Sequence, residues 1–177
     1  MPDAQVTKRA ELRIAETEYR ADPARPGGGN AARFWYAAAL AAFALDRFLK
    51  AAVIARGESP SAWPVSFTLF RNAGIAFSLP LPRPVFWPAA GVIFAILLYL
   101  FVRSFRHDRL RAGMLAMIIL GAASNLTDRY LYGSTTDYLL FFGRSAVNVA
   151  DAMIVIGLAA IFSRAAGHER SSHAVKQ

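Results

Sequence analysis

Four apolar stretches, each close to the length needed to cross a lipid bilayer, dominate this chain of 177 residues. They run from about Phe34 to Ala55, Val85 to Val102, Ala112 to Leu131 and Ser145 to Ser163. With a rise of about 1.5 Å per residue, each can span a hydrocarbon layer of about 30 Å as an α-helix. The chain is 55% hydrophobic yet carries a net charge of +8. A soluble domain of this size has one small core and no room for so much apolar surface. A membrane protein turns that surface to lipid and collects basic residues at the ends of its spans. The expected fold class is an all-α membrane protein with four transmembrane helices.

Lys and Arg set the expected orientation. Six precede or include Arg33, four lie between Arg103 and Arg111, and Arg164, Arg170 and Lys176 follow the last span. The 56–84 loop has only Arg56, Arg71 and Arg83, and the 132–144 loop only Arg144. Both termini are therefore expected in the cytoplasm, with the first span as an uncleaved signal anchor. Residues 1–31 read as a polar cytoplasmic tail, with a short helix possible over Thr7–Arg20 and a linker over Asp22–Asn30. The tail is too acidic and lacks the apolar core of a signal or transit peptide. Residues 32–165 form the membrane domain and 166–177 a second cytoplasmic tail.

Absence of cysteine excludes disulfides, thiolate metal sites and a cysteine nucleophile. His107, His168 and His173 lie in polar segments without metal-ligand spacing. The basic residues flank apolar segments and form no stripe, which argues for topology and lipid headgroups as their partners and against nucleic acid. Within the 56–84 loop, Trp63–Phe70 is rich in β-branched and aromatic residues and predicts a short sheet or hairpin on the outer surface. Trp63, Phe67, Phe70, Phe86 and Trp87 suit an interfacial belt.

Several polar residues fall inside or beside the spans. Helical rise puts Asp46 about 18 Å up the first span and Asn125, Asp128 and Arg129 about 20–26 Å up the third. Asn148 and Asp151 lie about 5–9 Å below the outer end of the fourth span, and Asp137 lies on the short outer loop before it. All gather in the outer third of the membrane, where charges are costly unless paired or facing a wet cavity. Asp46 can pair with Lys50 at i+4, and Arg129 with Asp128. Asn125/Asp128 and Asn148/Asp151 are each three apart and share a helix face. Asp137 and Asp151 have no basic residue three or four positions away. Two such carboxylates brought together would share one proton and could work as acid and base. Solvated carboxylates at a loop and a helix end are the alternative.

Five stretches, in order, resemble the lipoprotein signal peptidase (signal peptidase II) family. Asp46-Arg-Phe-Leu-Lys50 resembles D-Q-x-x-K, and Arg71-Asn-Ala-Gly-Ile-Ala-Phe77 resembles R/Y-N-x-G-x-A-F/W. Gly121-Ala-Ala-Ser-Asn-Leu-Thr-Asp-Arg129 resembles G-G-A-x-G-N-x-x-D-R. Thr136-Asp137-Tyr138 resembles V-x-D-F, and Val147-Asn-Val-Ala-Asp151 resembles F-N-x-A-D. The resemblance covers roughly Leu45–Gly157. It implies an intramembrane aspartyl endopeptidase of the bacterial inner membrane with Asp137 and Asp151 as the catalytic pair. Asn72, Gly74, Asn125, Arg129 and Asn148 would line or brace the site, Asp46 and Lys50 would support it, and Asp128 would stand close by as a structural group. The implied substrates are diacylglyceryl-modified prolipoproteins held in membrane lipid and cut before the lipidated cysteine. The resemblance implies no metal or organic cofactor, and the chain is expected to work as a monomer.

The chain departs from that pattern at Arg47 (Gln in the pattern), Ser124 (Gly) and Tyr138 (Phe), and only 13 residues separate Asp137 from Asp151. Two rival readings use the same residues. A non-catalytic paralog would bind lipidated or transmembrane segments without cutting them, and its mark would be loss of either aspartate. A small transporter would use the buried carboxylates as a proton path and would depend on Asp46 more than on Asp151.

Overall fold

The computed structural model describes residues 28–58, 64–74 and 82–174. The elements are α1 (Gly28–Arg56), β1 (Val65–Asn72), α2 (Arg83–His107), α3 (Arg109–Tyr132), β2 (Thr135–Phe141), β3 (Ser145–Val147) and α4 (Val149–Ala174). Trp63, residues 1–27 of the tail expected over 1–31, and the Ile75–Phe77 end of the second motif lie outside the described residues; residues 28–31 of that tail belong to α1.

Three helices are long and apolar enough to cross a membrane: α2, α3 and the Val149–Ala166 part of α4. Helix α1 is longer, at 29 residues, but contains Asp46, Arg47 and Lys50. Helix α3 is the central element and packs on α1, α2 and α4. Small residues let the backbones approach closely. A Cβ on Gly121 would stand 2.6 Å from the Ala150 carbonyl oxygen, and one on Gly113 would stand 2.7 Å from Trp35 Cβ. A core of Ala39, Met117 and Met153, with Trp35, Phe43 and Leu120 against it, ties α1, α3 and α4 together.

The expected basic loop at 103–111 is almost absent. Helix α2 ends at His107 and α3 starts at Arg109, with Asp108 alone between them. Asp108 turns this corner by accepting from the Arg111 N–H at 3.1 Å, and it also holds Arg164 of α4 at 2.9 Å. The Tyr36 hydroxyl reaches the Arg109 carbonyl oxygen at 3.4 Å, which places the start of α1 at the same end.

The opposite end carries a three-stranded antiparallel sheet in the order β1-β2-β3. The strand expected in the 56–84 loop is present as β1, but its partner comes from the 132–144 segment. That segment is β2 and not a loop, so Asp137 is a strand residue. Thr135 and Thr136 start it, two β-branched residues that suit a pleated, buried surface. β2 and β3 join through the three residues 142–144, where Phe142 (φ 51°) and Gly143 (φ 66°) both take positive φ and the Arg144 N–H closes the turn on the Phe141 carbonyl oxygen at 3.0 Å. The fourth helix therefore begins at Val149, later than the Ser145 expected from hydropathy, because residues 145–147 form β3.

Polarity runs opposite to that of a soluble protein. Phe34, Leu40, Phe48, Val92, Ile93, Tyr99, Val155 and Phe162 are exposed, while Asp46, Lys50, Ser124, Asp128 and Asn148 are buried. Such a surface suits lipid and such an interior suits a polar site.

Candidate active site

Asp137 and Asp151 come from different elements and meet at one residue. Asp137 is opposite Phe70 in the β1–β2 ladder, so Asn72, two residues further along β1, lies on the same face of the sheet. The Asn72 side-chain amide donates to Asp137 Oδ2 at 3.0 Å, and its own carbonyl oxygen accepts from the Gly74 N–H at 3.1 Å. The other oxygen, Asp137 Oδ1, accepts from Asn148 Nδ2 at 2.6 Å.

Asn148 is the residue before α4 and works as its cap. Its side-chain oxygen accepts from the Asp151 N–H at 2.9 Å, and its own N–H donates back to Asp151 Oδ2 at 3.2 Å. This reciprocal pair is a capping box built from Asn and Asp. The i,i+3 spacing read from sequence is thus a helix start, and it fixes the Asp151 carboxylate beside Asn148. Asn125 on α3 completes the arrangement by donating to Asp151 Oδ1 at 2.8 Å. One asparagine therefore bridges both carboxylates, and Asn72 and Asn125 hold their outer oxygens.

The supporting ions form a separate layer. Lys50 is fully buried and lies 3.1 Å from Asp46 and 3.0 Å from Asp128. It also donates to Asn125 Oδ1 at 2.8 Å, which links this layer to Asp151. The Asp46–Lys50 pair expected at i+4 is present. The expected Asp128–Arg129 pair is not. Asp128 binds Arg47 at 2.6 Å and Lys50, and it accepts from the Thr136 N–H at 3.0 Å. Arg129 turns away, donating to Thr135 Oγ1 at 2.7 Å and to the Gly74 carbonyl oxygen, with its guanidinium 4.6 Å from the Phe86 ring centroid. Consecutive helix residues point about 100° apart, which is why this neighbour pairing fails. The Arg129 charge still acts on both Asp137 and Asp151 at longer range.

Burial is the main cause that pushes the Asp137 carboxyl up to about 6, and the Asp151 charge adds to it. The Asn72 and Asn148 donors and the Lys50 charge oppose the rise. Burial also raises the Tyr138 hydroxyl above its ordinary value, so it remains a donor. Among the described residues no Lys or Arg lies within ion-pair distance of Asp137 or Asp151, whereas Asp46 and Asp128 are both paired. A close pair of carboxyl groups, one holding a proton, can activate water and protonate a leaving group.

Three groups that sequence reading treated only as departures join this network. Arg47, Ser124 and Tyr138 all touch Asp46, Asp128 or each other. The readable signal was a charge or hydroxyl inside an otherwise apolar helix face or strand, which burial forces to find a partner.

A family model described as signal peptidase (SPase) II matches residues 38–166. The chain belongs to the signal peptidase II family. Among its relatives, the lipoprotein signal peptidase of Gloeobacter violaceus is 36% identical over 72% of this chain and 78% of its own length. That of Neisseria gonorrhoeae is 34% identical over 71% of this chain and 84% of its own. That of Azoarcus sp. is 31% identical over 70% and 77%. A bacterial membrane enzyme solved by the in meso method at 2.3 Å shares the fold, with a TM-score of 0.62 and 20% identity over 76% of this chain and 88% of its own. This signal peptidase II family member is a membrane peptidase of the class that processes lipoproteins.

Proposed function

We propose that this chain is an intramembrane aspartyl endopeptidase that removes signal peptides from diacylglyceryl-modified prolipoproteins, cutting before the lipidated cysteine. The supporting observation is the Asn148 bridge. It links Asp137 and Asp151 through one side chain and its backbone N–H, and among the described residues no Lys or Arg lies within ion-pair distance of either.

In this reading the pair shares one proton, carried mainly by Asp137. Asp151 sits in the first turn of α4, where the partial positive charge of the helix end favours an anion. Asp151 takes a proton from the attacking water while Asp137 donates its own to the scissile carbonyl. Asn72, Asn125 and Asn148 orient the carboxylates. Gly74 and Arg129 brace the wall that the substrate backbone meets, and Asp46, Lys50 and Asp128 support the layer beneath.

The topology belongs to the same proposal. Helix α1 completes a four-span bundle because its internal charges face α3 and not lipid. The sheet and the carboxylate pair lie toward the periplasmic side of the bacterial inner membrane, and both termini are cytoplasmic. Residues 32–165 form the peptidase domain, between polar tails at 1–31 and 166–177. The enzyme works as a monomer on substrates held in the bilayer by their own lipid, without a metal or organic cofactor.

The test is prolipoprotein processing by purified protein, followed by gel shift. Wild type should cleave, and Asp137→Asn and Asp151→Asn should each lose at least a thousandfold in kcat, on the scale of losing a catalytic acid or base. Normal processing by either variant would remove the pair from the mechanism. Substrate binding by wild type with no cleavage at high enzyme concentration would favour the binding-only reading.

A further inference from the structure

Asp137 and Tyr138 are consecutive residues of β2, so their side chains project to opposite faces of the sheet. Asp137 faces Asn72 and Asn148. Tyr138 points to the interior, is fully buried and carries a hydroxyl with two partners. It donates to Asp46 Oδ1 on α1 at 2.9 Å and accepts from the Val149 N–H of α4 at 2.9 Å.

The Val149 N–H belongs to a set. A helix starts with four backbone N–H groups that lack partners within the helix. In α4 all four, counted from the cap residue Asn148, are taken by side chains. Asn148 donates to Asp151 Oδ2 at 3.2 Å, Val149 to Tyr138, Ala150 to Asp46 Oδ1 at 3.1 Å and Asp151 to Asn148 Oδ1 at 2.9 Å; the Ala152 N–H, 3.4 Å from the Asn148 carbonyl oxygen, makes the first ordinary helix bond. The start of the helix that carries Asp151 is thus held by α1 and by the strand that carries Asp137. On the other side of the Asp46 carboxylate, Oδ2 accepts from Ser124 Oγ at 2.6 Å and from Lys50 at 3.1 Å. Arg47 closes the layer, 3.2 Å from Ser124 Oγ and 2.6 Å from Asp128.

We propose that Tyr138 and Ser124 are positioning residues that act through Asp46. Their hydroxyls hold the two oxygens of that carboxylate and so set the distance between the strand bearing Asp137 and the helix bearing Asp151. Neither hydroxyl touches the reacting atoms. Both lie at positions where this chain differs from the motif pattern quoted above, and Arg47, the third such position, contacts Ser124. The three side chains form one matched unit, and the effect of changing one depends on the others. The inference rests on Asp137 and Asp151 being the catalytic pair.

A misplacement of about 1 Å in a reacting group costs up to about a hundredfold in rate. Loss of one hydroxyl from a carboxylate that keeps other donors should cost less. The test measures kcat and KM on a diacylglyceryl prolipoprotein for wild type, Tyr138→Phe, Ser124→Ala and the double variant, each corrected for folded fraction by thermal melting in detergent. Tyr138→Phe should lower kcat about tenfold with KM within about twofold. Ser124→Ala should act in the same direction. The double variant should fall short of the product of the two, because both act on one carboxylate. Arg164→Gln, at the far end of the bundle, serves as the neutral control. Asp137→Asn and Asp151→Asn are measured in parallel. A wild-type kcat per folded molecule in Tyr138→Phe overturns the inference, and the catalytic pair stands if both aspartate variants are inactive. Activity in either aspartate variant overturns the pair, and this inference with it.

Discussion

At Asp137 the protein holds a carboxyl group whose proton leaves only near pH 6, against an ordinary value of 3.8, chiefly because it is buried. Raised in the folded state, this group stabilises the fold fully below its unfolded value near pH 4. The contribution is lost as pH rises through about 6. The difference between the two values corresponds to stability on the order of 3 kcal/mol. Wild type should therefore lose thermal stability between pH 4 and pH 7, and Asp137→Asn should lose clearly less over that range. Parallel slopes in melting experiments would show that Asp137 does not titrate there. Lys50 is the converse case, a fully buried cation between Asp46 and Asp128. Lys50→Met leaves two buried carboxylates short of a partner and should cost about 3–5 kcal/mol, seen as a large fall in melting temperature or in folded yield. Sequence spacing foretold the Asp46–Lys50 contact because i and i+4 share a helix face. Spacing misled for Asp128 and Arg129, since adjacent residues on a helix diverge, and the real partner, Arg47, lies 81 positions away on another helix. Contacts across such separations have no local signature.

The helices were legible as elements from hydropathy, but their ends were not. The start of α4 is encoded by Asn148-x-x-Asp151, a capping signal, while the apolar residues before it belong to β3. β2 was hidden because a short buried strand between two spans looks like a loop until its partner β1 is known. Element packing also depends on residues that hydropathy barely weights. Gly121 faces the Ala150 carbonyl oxygen, one residue from Asp151, and an added methyl there would meet backbone at 2.6 Å. Backbone cannot rotate away as a side chain can, so Gly121→Ala must push α3 off the first turn of α4. Overpacking of this kind costs about 1–3 kcal/mol. Activity should fall by more than tenfold even in the fraction that remains folded, because the displaced turn carries Asp151. A Gly121→Ala protein with wild-type turnover would show that the turn tolerates the shift.

On the scale of the whole molecule, apolar side chains face outward and the ions are enclosed. Helix α1 is the test of this arrangement, since it is not apolar enough to count as a span by composition. Its charges become tolerable only when Asp46 and Lys50 are paired. In a membrane-insertion assay of the Gly28–Arg56 segment, Lys50→Ala should therefore ease insertion by less than the ~2.5–3.5 kcal/mol that an unpaired lysine costs at mid-span. A full gain would mean that the two charges enter unpaired.

The Asp46–Lys50 pair also gives the molecule an order in time. Synthesis delivers α1 first, and the pair needs only two residues one helical turn apart on that helix. Ser124, Asn125 and Asp128 follow with α3, then Tyr138 with its strand. Only afterwards comes the Ala150 N–H that binds Asp46 across 104 positions of chain. Asp137 and Asp151 cannot both bind Asn148 until the start of α4 has been made. Under the proposed mechanism, the site stays incomplete until the last helix has been made.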